Sequence, residues 1–456
     1  MTSLRRPATL LLASALVAGA CGGGAASTSP GGSAAPTPSA PTGSQSAVPS
    51  TPSLKAGSIE VGVLYKEGTP YYSAIQRVGD AVIAKIPGSE LRYTFANTEA
   101  RPALQLRWQN GTPPDVDYVF NGASPSTIHF AKDGDLLDLT DQLKAAPWGS
   151  GSYADAILPA FRSFLQLDGK FYAAPESAVV LGLYYNEKLL ADHGLQAPVT
   201  WDDLMTTCRT LRAAGISPIA VTGTYDPYMG IWWDNLLLRE VGPEGVFSVL
   251  QKKAKLADNP GFLAAAKKMQ DLVTNKCLLD GFEGTDFTAA QADFFQGKAA
   301  MIAMGSWLQS EMKGVIPADF KLGITPFPSV VGGAGQQDGI LGTVLGLSVS
   351  AKTAAPDVAV QYLLQQGSKD EQTQRVKDLG TLSAFDGVPG PTGVDGMDKI
   401  LAQAKSGVVT NYYYGISGDA EASKAWYTPV AKLFLGKITA EQMIAEIDDN
   451  LSKLSN

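Results

Sequence analysis

Beyond residue 57 the chain alternates short apolar runs with longer segments in which apolar side chains return every three or four positions. The runs at 59–65, 91–96, 116–120, 181–185, 216–221, 300–304, 321–324 and 344–349 have the length and composition of strands. The segments between them predict helices, and several carry start signals. Thr200 with Asp203, Thr288 with Gln291, Ser368 with Glu371 and Thr439 with Gln442 stand at capping-box spacing, where a hydroxyl and an N3 side chain satisfy free backbone amides. Pro260 and Pro356 suit first helical positions, while Gly194, Gly215, Gly297 and Gly367 suit helix ends. Strands separated by helices predict an α/β fold with parallel sheets covered on both faces, because a parallel crossover needs an intervening helix. No internal repeat is visible, so a solenoid is not expected.

The N-terminal stretch has another character. Arg5 and Arg6 precede an apolar run over residues 8–20, interrupted by Thr9, Ser14 and Gly19 and closed by Cys21. That is the pattern of a secretory signal, too short for a stable membrane span. From residue 22 to 54 nothing is charged, and Gly, Ala, Ser, Thr and Pro supply nearly every position. Such a composition cannot bury enough apolar surface to offset its ordering entropy. A signal peptide is therefore expected over 1–21 and a disordered tether over 22–56. Residues 18–21, Ala-Gly-Ala-Cys, resemble a bacterial lipobox, with Ala18 where that motif usually has leucine. Acylation of Cys21 would anchor the protein to the membrane, each buried methylene contributing about 0.8 kcal/mol. Outside the cytoplasm a matched cysteine pair usually closes, so Cys208 and Cys277 are expected to form a disulfide, the alternative being two buried thiols.

Composition narrows the function. The chain of 456 residues is long enough for roughly two to four domains. Its 45% hydrophobic and 18% charged residues exclude a wholly disordered chain and a multi-span membrane protein. A net charge of −8 argues against nucleic acid as a partner, since phosphate neutralisation needs a basic surface. With His129 and His193 the only histidines and no Cys-x-x-Cys spacing, neither a metal nor a cofactor is expected. There is no Gly-x-Ser-x-Gly elbow and no His-Glu-x-x-His pair, and Gly169-Lys170, Gly297-Lys298 and Gly436-Lys437 lack the rest of a P-loop. Gly333-Ala334-Gly335 starts like a dinucleotide loop but has no glycine at the last position, and it reads as a flexible loop. Two carboxylates suffice for a glycosidase, so Glu67, Glu176 and Asp234 stay open as catalytic candidates beside surface or hydrogen-bonding roles.

Several phrases fall in a specific order. Residues 110–116 read Asn-Gly-Thr-Pro-Pro-Asp-Val, 136–141 Leu-Leu-Asp-Leu-Thr-Asp, 169–175 Gly-Lys-Phe-Tyr-Ala-Ala-Pro and 183–189 Leu-Tyr-Tyr-Asn-Glu-Lys-Leu. They are followed by Thr-Trp-Asp-Asp-Leu at 200–204, Phe-Phe-Gln-Gly-Lys-Ala-Ala-Met at 294–301, Gly-Ser-Trp at 305–307, Ile-Thr-Pro-Phe-Pro at 324–328 and Gly-Leu-Ser-Val-Ser at 346–350. Together these resemble the family 1 extracellular solute-binding proteins of ABC importers, the carbohydrate-binding branch especially. The resemblance implies a two-lobed, type II periplasmic-binding-protein-like α/β fold whose hinge the chain crosses more than once. The lobes would comprise 57–168 with 329–375 and 169–328 with 376–456. It further implies a non-catalytic, lipid-anchored extracytoplasmic monomer that traps a mono- or oligosaccharide and delivers it to a permease. A non-sugar solute, a secreted glycoside hydrolase using two carboxylates, and a wall-bound sensor or adhesin are the rival readings.

Sugars present hydroxyl edges and apolar faces, so a receptor needs aromatic platforms beside paired polar groups. Trp307, in the Gly-Ser-Trp after the strand at 300–304, is similar to the family's sugar-stacking position, with core packing as the competing role. Trp232 and Trp233 lie with Asp234 on a helix-like segment, and adjacent positions point apart, so at most one of the two rings should face a cleft. Asn121, Tyr65 and Glu67 follow predicted strands where the family takes polar contacts, with turn roles competing. Glu176 could accept two sugar hydroxyls, and Gly342 with Thr343 could offer backbone amides. Along Tyr412, Tyr413 and Tyr414 alternation exposes one or two rings to any cleft, core packing being the alternative for each.

Overall fold

The computed structural model describes residues 53–95, 101–122, 124, 127–406, 409–416 and 419–454. The expected signal peptide, Cys21 and all of the tether up to residue 52 lie outside the described residues. Ten strands form one sheet: β1 (Ser58–Val63), β2 (Glu90–Phe95), β3 (Val116–Asp117), β4 (Ala174–Asn186), β5 (Ser217–Ala220), β6 (Ala299–Gly305), β7 (Leu322–Thr325), β8 (Ile340–Val349), β9 (Val394–Asp395) and β10 (Val409–Asn411). The helices that frame the site are α1 (Pro70–Lys85), α2 (Trp201–Ala213), α3 (Asp226–Glu240), α4 (Pro260–Thr274), α5 (Phe287–Phe295), α6 (Leu308–Glu311), α7 (Pro356–Gln366), α8 (Lys369–Leu379), α9 (Ala420–Phe434) and α10 (Ala440–Lys453).

The strand order is β9-β7-β4-β8-β3-β1-β2, with β6 also beside β4, β5 beside β6 and β10 beside β8. The expectation of parallel sheets is corrected at the middle. β1 runs parallel to β2 and β3, β6 to β5, β7 to β9 and β8 to β10, but β4 is antiparallel to β6, β7 and β8. The reason lies in the 13-residue β4, buried along nearly its whole length. Its first half, from Ala174 to Val180, pairs with β8, and its second half, from Leu181, pairs with β6 and β7. One strand thus serves two segments of sheet, and the chain returns along it in the opposite sense.

Apolar side chains gather in two cores. One contains Val61, Ile75, Val116, Phe161 and Val349, and it also takes in Ile302, Met304, Leu308 and Ile324 from beyond the start of β4. The other is built around Trp233, Phe262, Met269, Trp426 and Phe434. Among the described residues no helix is long and apolar enough to cross a membrane.

Local signals act as expected at most helix starts. Thr200 and Asp203 at α2, and Thr439 and Gln442 at α10, close reciprocal capping boxes, and Ser368 Oγ accepts from Glu371 N at 3.4 Å. Thr288 instead lies inside α5, because Asp286 takes the cap by accepting from Ala289 N at 2.8 Å. The loop at 333–335 is pinned, not free: Gly335 N donates to Arg239 O at 2.9 Å, and the buried Arg239 guanidinium donates to the carbonyls of Phe327, Gln336 and Gly339 at 2.7–2.9 Å. Burial lowers that guanidinium to about 10, yet these carbonyls and that of Pro328, at 3.4 Å, hold it in place.

Cys208 and Cys277, expected as a bridge, are free thiols here, both fully buried. The neighbouring Cys277 thiol and burial push the Cys208 thiol well up. Oxidation proceeds through a thiolate, the form that this environment disfavours.

Candidate functional site

A cavity of about 420 Å³ opens where β4 changes partners. Its anchor is Trp307, immediately after β6. Ser306 N donates to Val180 O at 2.9 Å and Val180 N to Ser306 Oγ at 3.3 Å, so the segment before the tryptophan is tied to the middle of β4. The preceding Gly305 is required by close approach: a Cβ there would lie 2.1 Å from the Trp307 ring. Tyr228 meets that ring edge-on at 6.1 Å and is itself stacked on Phe287 at 4.3 Å, while Tyr412 lies 6.3 Å away on another side. Tyr65, just beyond β1, stacks on Tyr71 of α1 with centroids 3.9 Å apart. Tyr71 Oη donates to Ser310 Oγ at 2.8 Å, joining α1 to α6 across 239 residues of sequence. Burial pushes the phenols of Tyr65, Tyr71 and Tyr228 above their ordinary value, so all stay neutral donors over the physiological range.

The polar groups are few. Ser177, Ser306, Thr381 and Glu311 complete the wall. Glu311 is exposed to the cavity space, accepts from Gln291 Nε2 at 3.0 Å, and is raised from its ordinary value by the protein packed around it.

Of the residues expected at the site, Tyr65 and Trp307 line this cavity. The structure places the others elsewhere. Glu176 precedes the wall residue Ser177 but turns inward at 2% exposure, pairing with Arg375 Nη1 at 2.9 Å and accepting from Tyr118 Oη at 2.5 Å. Thr343 Oγ1 donates to Asn121 Oδ1 at 3.4 Å, and Asn121 lines a separate cavity with Phe247 and Asn411. Gly342 sits within the sheet, in register with Val180 of β4 and Asn411 of β10, so its backbone is engaged in the ladders. Glu67 is exposed outside the cavity. Trp232 packs edge-on against Phe327 at 5.3 Å and Trp233 lies 6.2 Å from Trp426, so both rings of the pair are core residues.

Asp234 is fully buried, accepting from Tyr427 Oη at 2.7 Å and Trp426 Nε1 at 3.4 Å. Its main-chain oxygen accepts from Tyr414 Oη at 3.0 Å. Glu67, Glu176 and Asp234 therefore do not converge as a carboxylate pair.

Sequence reasoning missed Tyr71, Tyr225, Tyr228 and Glu311, while Tyr412 and Tyr413 belong to the run from which it expected one or two rings at a cleft. Tyr225 and Tyr228 flank the Asp-Pro start of α3, a position after a strand end that could have drawn notice. Tyr412 and Tyr413 reach the wall because Tyr413 and Tyr414 adopt left-handed backbone, with φ of 56° and 46°. For a bulky side chain such a conformation costs on the order of 1–3 kcal/mol, and neither strand alternation nor helical period anticipates it. Asp234 offsets part of that cost, since its carboxylate is also hydrogen-bonded by the Tyr413 backbone.

Burial raises Asp234 from 3.8 to about 7, against the lowering by Tyr427, Trp426 and the Tyr413 backbone. The folded state then holds a proton that the unfolded chain releases, so stability is expected to fall as pH rises from about 4 to about 7 and to level off above. Asp234→Asn should flatten that part of the profile in urea unfolding measured across the range. An unchanged slope in the variant would assign the pH dependence to other groups.

Comparison with known proteins places the fold. A family profile described as bacterial extracellular solute-binding protein matches residues 65–364. The chain is 26% identical over 231 residues to the diacetylchitobiose binding protein NgcE of Streptomyces coelicolor, a match spanning 50% of this chain and 48% of that relative. It is 24% identical over 369 residues to a probable sugar-binding periplasmic protein of Brucella suis, covering 77% of this chain and 81% of the other. Among solved structures, a chitin oligosaccharide binding protein superposes with a TM-score of 0.74 at 23% identity, over 87% of this chain and 98% of that one. With its two-lobed mixed α/β fold and a profile match that covers most of the described body, the chain belongs to the bacterial extracellular solute-binding proteins.

Proposed function

We propose that the protein captures a mono- or oligosaccharide outside the cytoplasm and delivers it, chemically unchanged, to the permease of an ABC importer. The observation that carries this reading is the cavity walled by the rings of Trp307, Tyr228, Tyr412, Tyr65 and Tyr71 at the strand shared by the two sheet segments. Ring faces suit the apolar C–H faces of a pyranose, and a concave, mostly apolar site with a few polar groups is the usual form of a small-molecule pocket. The names of the relatives point the same way, toward chitobiose and other sugars.

In this reading the lobes comprise 57–168 with 329–375 and 169–328 with 376–456, the chain crosses the hinge more than once, and β4 of one lobe pairs with β8 of the other. Bending of these strands would open the cavity, and a ligand would shift that balance only by its preference for the closed state. The Tyr71–Ser310 hydrogen bond is placed to close with it. The chain acts as a monomer held to the membrane through acylated Cys21 alone. Co-sedimentation of the full chain with membranes, lost on Cys21→Ala, tests the anchor, and retention of the variant would exclude it.

The function is tested by thermal unfolding against a panel of mono- and disaccharides. A cognate sugar should raise the unfolding temperature in step with its concentration, since binding to the folded state adds RT ln(1 + [L]/Kd) to stability. A panel without effect, or a sugar recovered as a cleaved product, would reject the proposal.

A further inference from the structure

The walls of the cavity are unbalanced for a neutral sugar. Rings dominate them, and among the described residues they include no lysine, arginine, histidine, asparagine or glutamine side chain; the single ionisable group besides the phenols is Glu311. A polyhydroxylated ligand is usually fenced by planar polar side chains that meet neighbouring hydroxyls in pairs, and among the described residues of this wall there is no such fence. What the walls offer is a set of electron-rich ring faces next to one carboxylate. That combination favours a cation, which is drawn to the negative face of an aromatic ring as well as to the opposite charge.

Glu311 is free to serve such a ligand. Its one side-chain partner is Gln291, and no cation lies within ion-pair distance of it among the described residues. The buried guanidinium of Arg375, outside the wall, is committed to Glu176 and Glu371 at 2.9 and 3.2 Å. Geometry brings Glu311 to the rings: it lines the same cavity as Trp307, Tyr65, Tyr71 and Tyr228, and its charge acts electrostatically on those three phenols.

We infer that the cavity selects a solute with a positively charged amino group, and that on the sugar reading this is an amino sugar whose nitrogen is not acylated, its ammonium held between Glu311 and the ring faces. The inference rests on the sugar reading for the ligand's scaffold and on the cavity wall for its charge. It differs from binding of an acetylated amino sugar, in which the nitrogen is neutral.

Titration calorimetry of the full chain with three β-1,4-linked disaccharides of like size tests it: the glucosamine dimer, its N,N′-diacetyl form and cellobiose. The measurement is made near pH 6, about two units below the usual range of such an amine. The cationic dimer is expected to bind at least tenfold more tightly than either neutral one. In Glu311→Gln that ratio should fall close to one, and Glu311→Asp, which restores the charge, should recover part of it. Equal or tighter binding of a neutral dimer, or a ratio unchanged in Glu311→Gln, overturns the inference while leaving the sugar reading in place. Failure of all three to bind overturns the inference and leaves the sugar reading to the wider panel of the thermal-unfolding test.

Discussion

Replacing Trp307 by alanine is expected to weaken sugar binding by about 10- to 100-fold, or about 1.4–2.7 kcal/mol. The ring is the hub of the cavity's aromatic contacts, touching Tyr228 and Tyr412, and its loss removes the stacking surface and lets both neighbours relax. The fold should survive. Trp307 is half-buried at the cavity wall, and its Nε1 has no hydrogen-bond partner among the described residues, so its deletion leaves no donor or acceptor stranded. Calorimetry with the sugar identified by thermal shift gives the affinity, and circular dichroism confirms folding. A dissociation constant within twofold of the parent would remove Trp307 from the site.

Replacing Arg375 by methionine should do the reverse, striking stability first. Arg375 and Glu176 are each about 2% exposed, and their pair is embedded in further contacts: Arg375 Nε to Glu371 at 3.2 Å, Arg375 Nη2 to Gln366 Oε1 at 3.2 Å, and Tyr118 Oη to Glu176. Removing one partner strands a buried carboxylate, a change that typically costs about 3–5 kcal/mol. That is a large part of the roughly 5–15 kcal/mol that holds a domain folded. The urea midpoint should fall accordingly, and the double change of Arg375→Met with Glu176→Gln should recover part of the loss because no charge is left unpaired. A single variant as stable as the parent would show that water reaches the pair.

These two cases mark what could be read in advance. Trp307 was identifiable because its neighbours in sequence, a glycine and a serine after an apolar run, create the turn that carries it. Glu176 stood open between a ligand and a hydrogen-bonding role, and its partner in the structure, Arg375, lies 199 positions further along the chain. Asp234 stood open likewise, and Tyr427, which hydrogen-bonds it, is 193 residues away. A carboxylate in isolation looks the same whether it faces a sugar or a buried cation. Adjacent Trp232 and Trp233 suggested opposite faces, but α3 is enclosed on nearly all sides, so both rings found packing partners.

Strand positions, most helix starts and the α/β character follow from local order in the chain, because hydrophobic period and capping chemistry act over fewer than ten residues. The kind of molecule was legible from the ordered phrases between residues 110 and 350, which resemble one family. Only the tertiary structure decided that β4 is shared and antiparallel to its neighbours, that two left-handed tyrosines bring Tyr412 and Tyr413 to the wall, and that Glu311 is the carboxylate facing the cavity. Each of these depends on contacts between segments far apart in the chain, whose pairing is set by packing and burial and leaves no periodic trace in the order of residues.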